Sequence, residues 1–208
     1  MTRDEAVALL EDRLGNRGTT FDALIVTEMK AAQTRLEMLP QLPWFLLTHS
    51  TDLATVSGTK TVELPSSFLM EDEYSQLFLI DDDGNFRRVI KKTYDTLRGS
   101  GHFDSDSLPI FFALQKSTLY FFPTPSGGNT IDWFFFAQDT VLSSNVENEW
   151  LKYVPELLVA AAGLRVARYM RSAELIQLFT QDYKDALGEM LLQDEARRQA
   201  SLDAYMGG

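Results

Sequence analysis

The chain contains no cysteine and only two histidines, His49 and His102. The missing thiols exclude disulfide staples and thiolate metal sites, and two isolated histidines cannot write a zinc pattern such as H-E-x-x-H. Long apolar runs are also lacking. The longest, over residues 157–164, falls far short of the roughly 20 residues a membrane-spanning helix needs, so no membrane role is expected. The chain opens without a charged segment, apolar stretch and small-residue cleavage site, which predicts synthesis and folding in a cytoplasm. Positive charge is scarce too: 19 Lys and Arg stand against 30 Asp and Glu, a formal net charge of −11. Such a surface repels phosphate and excludes tight, general DNA binding, and it sets identical copies against one another.

Motifs for familiar chemistry are absent as well. Neither G-x-x-x-x-G-K-[ST] nor G-x-G-x-x-G occurs, and no G-x-S-x-G elbow accompanies the hydroxyls beside His49. The turn Asp81-Asp-Asp-Gly-Asn85 invites a calcium reading. With Gly84 at the sixth loop position, however, the first and last ligands would be Leu79 and Ile90, which bind no cation. His102, near Asp104 and Asp106 in a Gly/Ser loop, is the best remaining metal candidate, and it offers too few ligands. The expectation is therefore no catalytic residue, no cofactor and no metal.

What is present describes a folded protein. Of 208 residues, 45% are hydrophobic and 12% aromatic, enough for one good core with an inserted subdomain. Thr2-Arg-Asp-Glu5 reads as a capping box for a first helix that Gly15 ends. Thr19 or Thr20 offers an N-cap for a second helix, marked by Phe21, Leu24, Ile25, Ala32 and Leu36 and stopped before Pro40. The N-terminal segment 1–42 is thus a helical hairpin.

From residue 43 to about 147 the pattern changes to β-branched and aromatic runs separated by turn chemistry. Trp44-Phe-Leu-Leu-Thr48 and Lys60-Thr-Val-Glu-Leu64 suggest an antiparallel pair. Gln76-Leu-Phe-Leu-Ile80 and Phe86-Arg-Arg-Val-Ile90, flanking the Asp81 turn, give a stronger hairpin signal. Acids between Glu71 and Asp83 can there meet Arg87, Arg88, Lys91 and Lys92 across the strands. A short helix is expected near Lys92-Thr-Tyr-Asp-Thr-Leu97, then a loop from Gly99 to Ser107. Three strands follow, around 110–114, 118–122 and 131–136, as an antiparallel meander. The run Trp133-Phe-Phe-Phe136 has no interleaved Arg or Lys and favours core or interface packing over base stacking.

The segment 148–198 reads as two closely joined helices. Pro155 suits the first turn of one, whose small centre, Ala160-Ala-Ala-Gly163, admits close approach of another backbone. Arg165, Arg168 and Arg171 emerge at three-residue spacing where its apolar run ends. Ser172 is a plausible N-cap for the other, an amphipathic helix through Ile176, Phe179, Tyr183, Leu187 and Met190. On it Asp182, Asp185 and Glu189 fall near one face. The arginines and acids are candidates for pairing between neighbouring copies, or for pairing within the hairpin and facing solvent. After Arg198 the segment 199–208 reads as a flexible tail, with Leu202, Tyr205 and Met206 as candidate docking residues. The fold class is α+β: a helical base from N-terminal and C-terminal hairpins, with an inserted antiparallel β subdomain.

In this order of elements, with Arg-Leu-Gly15-Asn-Arg near the start, Leu42-Pro-Trp-Phe-Leu46, Val62-Glu-Leu-Pro-Ser-Ser-Phe68, Leu119-Tyr-Phe-Phe-Pro-Thr-Pro125, Leu151-Lys-Tyr-Val-Pro-Glu-Leu-Leu158 and Phe179-Thr-Gln-Asp-Tyr-Lys-Asp-Ala-Leu187, the chain resembles the head-to-tail adaptor (connector) proteins of tailed bacteriophages. The resemblance runs nearly end to end. It implies a non-enzymatic virion protein of the head-tail neck, assembled in the host cytoplasm. Such a protein forms a ring, commonly of twelve copies, docked under the portal protein. Downstream tail or nozzle proteins would follow it, and DNA would pass through its channel without specific binding. In related proteins a C-terminal arm reaches along the portal, and residues 201–206 match that position here. The rival readings are another neck or tail component, such as a stopper or tail terminator, and a small acidic metal-dependent hydrolase built on the His102 loop.

Overall fold

The computed structural model describes residues 1–15, 21–99 and 106–206, with side chains up to residue 198. The chain is α+β. In order, it forms α1 (Arg3–Arg13), α2 (Asp22–Leu36), β1 (Leu47–Ala54), β2 (Thr61–Glu63), β3 (Phe68–Glu71), β4 (Leu77–Ile80) and β5 (Phe86–Lys91). Then come α3 (Tyr94–Arg98), β6 (Asp106–Ser107), β7 (Phe111–Gln115), β8 (Thr118–Phe122), β9 (Thr124–Pro125) and β10 (Thr130–Ala137). Three helices close the chain: α4 (Glu149–Tyr153), α5 (Pro155–Met170) and α6 (Ala173–Met206). Two compact units result, one from residues 1–46 and 139–208, the other from 47–138.

In the first unit the helices begin and end where local chemistry permits. Thr2 caps α1 and Glu5 returns the bond to the Thr2 N–H, completing the capping box. Pro155 opens α5, where its missing N–H costs nothing. Ser172 Oγ accepts from the Leu175 N–H at 3.4 Å at the start of α6. The cap of α2 departs from expectation. Phe21 occupies that position with no side-chain bond, and Thr19 and Thr20 lie outside the described residues.

α5 is the centre of this unit, packed against α2 and α6, with Leu157, Leu158, Val159, Ala162, Val166 and Ala167 buried. At Gly163 its small-residue stretch meets a side chain. A β-carbon on Gly163 would lie 2.4 Å from Cε1 of the fully buried Phe179 of α6. The absent methyl is therefore what seats the aromatic ring.

A buried polar layer joins α2 to the segment ahead of α4. Glu37 Oε1 accepts from Gln33 Nε2 at 2.9 Å, Trp150 Nε1 at 3.3 Å and the Asp139 N–H at 3.3 Å. Asn148 caps α4 by accepting from the Leu151 N–H at 3.0 Å, and its amide donates to Gln33 Oε1 at 3.3 Å. Each polar group buried here thus has a partner, which is what makes its burial tolerable.

The carboxyls of Glu11 and Asp22 differ. Glu11 Oε1 and Asp22 Oδ1 are shielded from solvent, and among the described residues no group other than the facing carboxyl bonds them. Sharing a proton with Asp22, and secondarily burial, hold the Glu11 carboxyl above the usual carboxylate range. A raised folded pKa means that the native state holds the proton more tightly than the unfolded chain. This contribution is therefore lost as pH rises from the ordinary carboxylate range through the raised folded value. Glu11→Gln should accordingly raise the melting temperature near neutral pH, and the gain should fade as the pH is lowered toward 4, about the unperturbed Glu pKa. A pH-independent difference between the two melting curves would refute the shared proton.

The second unit holds a mixed sheet in the order β1-β10-β4-β5-β7-β8-β2, with β3 also paired to β10 and a separate parallel pair, β6 and β9. β10 pairs with three strands, and it buries Ile131, Trp133 and Phe135 on one face. Its neighbours are β1 along one edge and β4 and β3 along the other. The β4–β5 hairpin forms as expected, with Leu77 opposite Val89 and Ile80 opposite Phe86. Asp81 Oδ1 ties its turn by accepting from the N–H groups of Asp83 at 3.0 Å and Asn85 at 2.8 Å. The bonds from Asn85 hold this carboxyl below its usual range.

Three expectations fail in this unit. Residues 44–48 and 60–64 do not pair with each other: β1 joins β10 and β2 joins β8. Trp44–Leu46 is instead a 3-10 turn of the helical unit, where Phe45 meets Trp150 edge-on at 5.1 Å. The meander is broken after the β7–β8 hairpin, because β10 leaves for the far strands. The sheet is not purely antiparallel, since β5 and β7 run parallel, an arrangement that α3 and the residues after it make possible by returning the chain to the starting end. The expected charge pairing across strands is made by Lys91 of β5 with Glu71 of β3, while the register places Arg87 and Arg88 opposite Leu79 and Phe78.

Candidate interaction surface

The candidate residues lie on the hairpin of α5 and α6, and the structure divides the sets that spacing had grouped. Arg165 is spent on Glu28 of α2. Arg171 closes α5 in the left-handed region at φ 55° and ψ 31°. Arg168 is exposed and lines a groove of about 270 Å³ between α2, α5 and α6. Of the acids, Asp182 reaches Arg13 of α1 at 3.3 Å. Asp185 accepts from Gln181 Nε2, a neutral donor, at 2.9 Å. Glu189 is exposed. Among the described residues no ion pair joins the arginine set to the acidic set.

Two cations missed by the spacing argument, Arg35 of α2 and Lys184 of α6, line the same groove as Arg165 and Arg168, with Leu164 and Tyr183 as apolar walls. Arg35 is separated from the others by more than a hundred residues, so only the packing of α2 on α5 could reveal it. The sequence does carry a signal for the opposite side of α6. Leu178, Asp182, Asp185, Glu189 and Leu192 follow one another by four, three, four and three residues and so share one face. Both leucines are exposed, by 48% and 68%.

A second missed group anchors the end of the described side chains. Asp194, 1% exposed, accepts from the Trp44 N–H at 2.9 Å, Gln41 Nε2 at 3.2 Å and Arg198 Nε at 2.8 Å. The Arg197 guanidinium lies 3.8 Å from the centre of the Trp44 ring. Beyond this anchor the backbone of α6 stays helical to Met206, where the sequence reading stopped the helix at Arg198. Residues 189–206 contain neither Pro nor Gly, and extending a formed helix is far cheaper than starting one. Leu202, Tyr205 and Met206 stand on this last stretch, and their side chains lie outside the described residues.

As chemistry, the remainder is sparse. Among the described residues no three His, Asp or Glu side chains gather to hold a metal ion, and no helix is long and apolar enough to cross a membrane. His102 and Asp104 lie outside the described residues, and Asp106 pairs with Thr124 in β6–β9. His49 Nε2 contacts Asp132 Oδ1 at 2.7 Å while its ring stacks on Phe134 at 4.4 Å.

A family model described as SU10 adaptor protein matches residues 1–205. The chain belongs to this family. No curated protein matches it. The SU10 adaptor family is one of bacteriophage structural proteins rather than enzymes, and membership implies association with phage portal and tail components.

Proposed function

We propose that this SU10 adaptor is a head-to-tail adaptor that forms a ring, of twelve copies, under the portal and extends the DNA channel in the virion neck. The observation that carries this reading is the family match along residues 1–205. In this reading the helices are the base of each subunit, the β segment is an insertion in it, and assembly takes place in the host cytoplasm. Downstream tail or nozzle proteins bind the completed ring. A net charge of −11 per copy suits a conduit that must release its cargo, because DNA is repelled from the average surface. The same charge opposes self-association, so the free chain is monomeric and the portal supplies the template on which weak lateral contacts add up. Sedimentation at moderate salt should show a monomer alone and a ring-sized mass gain on the cognate portal. A stable ring without portal would overturn the template, and no gain on portal would overturn the function.

Leu202, Tyr205 and Met206 are proposed to dock on the portal. These apolar residues lie beyond the Asp194 anchor, where chain ends contribute little to a fold unless tied down. Truncation after Arg198 should leave the melting temperature within about 2 °C, corresponding to less than about 1 kcal/mol, while weakening portal attachment. The check is a melting curve beside a portal pull-down of the truncated chain. Undiminished binding, or a large drop in melting temperature, would remove the tail from the interface.

A further inference from the structure

We infer that the acidic, leucine-bracketed face of α6 docks into the basic groove between α2, α5 and α6 of a second copy of this chain. Charge argues for the match. In a chain with 30 acids and 19 Lys and Arg, the groove collects Arg35, Arg165, Arg168 and Lys184. Arg165 is neutralised by Glu28. Arg35, Arg168 and Lys184 are exposed and make no ion pair among the described residues. The α6 face offers Asp185 and Glu189, which make no ion pair among the described residues, plus Asp182 shared with Arg13. Leu178 and Leu192 bracket these acids, and Leu164 and Tyr183 give the groove apolar walls.

Geometry excludes the same-copy alternative. At 100° per residue, Thr180, Tyr183 and Lys184, which form the α6 wall of the groove, lie on the side of the helix away from the acidic face. One copy cannot satisfy itself. Two different faces that complement each other make a head-to-tail contact, which propagates to a ring if its rotation closes. Closure rests on the ring reading above, whereas the contact does not. The overall repulsion keeps this contact weak in the free chain, but at physiological salt charges beyond roughly 8 Å are screened while pairs in contact are screened much less, so concentrated chains populate it.

The test is zero-length carbodiimide coupling, which joins a lysine amine to a carboxylate only where they touch. It is run on a concentrated equal mixture of ordinary and nitrogen-15 chains, followed by mass spectrometry. Isotopically mixed peptides should link Lys184 of one copy to Asp185 or Glu189 of another. The paired reversal Asp185→Lys with Glu189→Lys should lower their yield at least about tenfold, as expected when like charges face each other. Adding Arg168→Glu and Lys184→Glu should restore links, now from position 185 or 189 to position 168 or 184. All four positions are solvent-facing, so these variants keep the fold. The contact is overturned if mixed links are absent or unaffected by the reversal, if the fourfold variant shows no recovery, or if the links join acidic face to acidic face. On portal-bound chain, links from Lys184 to portal carboxylates with none between copies would overturn it as well. Links that appear in a chain failing to bind portal would sustain the contact and refute the proposed function.

Discussion

Gly163→Leu is expected to lower the melting temperature of the helical unit by about 6–12 °C, corresponding to about 3 kcal/mol at about 2–4 °C per kcal/mol for a chain of this size. The position lies in the middle of α5, where glycine ordinarily costs a helix about 1 kcal/mol relative to alanine. Sterics reverse that preference. The added β-carbon would lie 2.4 Å to 2.7 Å from three carbons of the Phe179 ring, and Phe179 is fully buried and has no free volume to retreat into. Overpacking of this kind typically costs about 1–3 kcal/mol, and more for a large side chain. Gly163→Ala should therefore destabilise less than Gly163→Leu, because the gain in helix propensity offsets part of the clash. Combining Gly163→Ala with Phe179→Leu should cost less than the sum of the two single changes, since the residues share one space. Thermal melts of the four variants decide it. A Gly163→Leu protein that melts with the parent would show that the ring is not seated there.

Glu37→Leu is expected to destabilise the same unit by about 3 kcal/mol, because it removes an acceptor rather than a volume. Three donors, from Gln33, Trp150 and the Asp139 backbone, converge on one oxygen of this 5%-exposed carboxylate. Each buried donor left unpaired costs about 1–3 kcal/mol, and the isosteric side chain recovers some of that by sparing the desolvated charge. Glu37→Gln keeps a carbonyl oxygen at nearly the same place, so it should cost only about 1 kcal/mol. Equal losses in the two variants would show that the charge, not the acceptor, sustains the layer. A stable Glu37→Leu protein would show that the layer is dispensable. Urea unfolding followed by fluorescence in a Trp44→Phe, Trp133→Phe background, where Trp150 is the remaining indole, reports on this layer, because that indole N–H is one of the three donors.

The candidate surface was half legible. Arg165 and Asp182 stand out by spacing, yet the fold spends them on Glu28 and Arg13, while Arg168, Asp185 and Glu189 make no ion pair among the described residues. Arg35 and Lys184 carry no pattern that singles them out. They become a site only when α2 lies against the hairpin. Asp194 is a parallel case. On paper it is one more acid on a charged helix, and only the return of residues 41–44 to its side turns it into a buried anchor.

The amino-acid sequence by itself determined the features whose causes act within a few residues. They are the Thr2–Glu5 capping box, Pro155 at the start of α5, Ser172 before α6, the Asp81 turn and the hairpin around it. The alternation of β10 likewise marks a strand wherever it ends up. Tertiary structure alone decided the partners: β10 for β1, β8 for β2, the parallel neighbour of β5, and the ring of Phe179 above Gly163. Strand pairing and side-chain burial depend on which distant segments exclude water together, and many pairings satisfy the same local pattern with nearly equal backbone bonding. Packing against the whole unit selects among them, so the choice appears only once the chain has closed on itself.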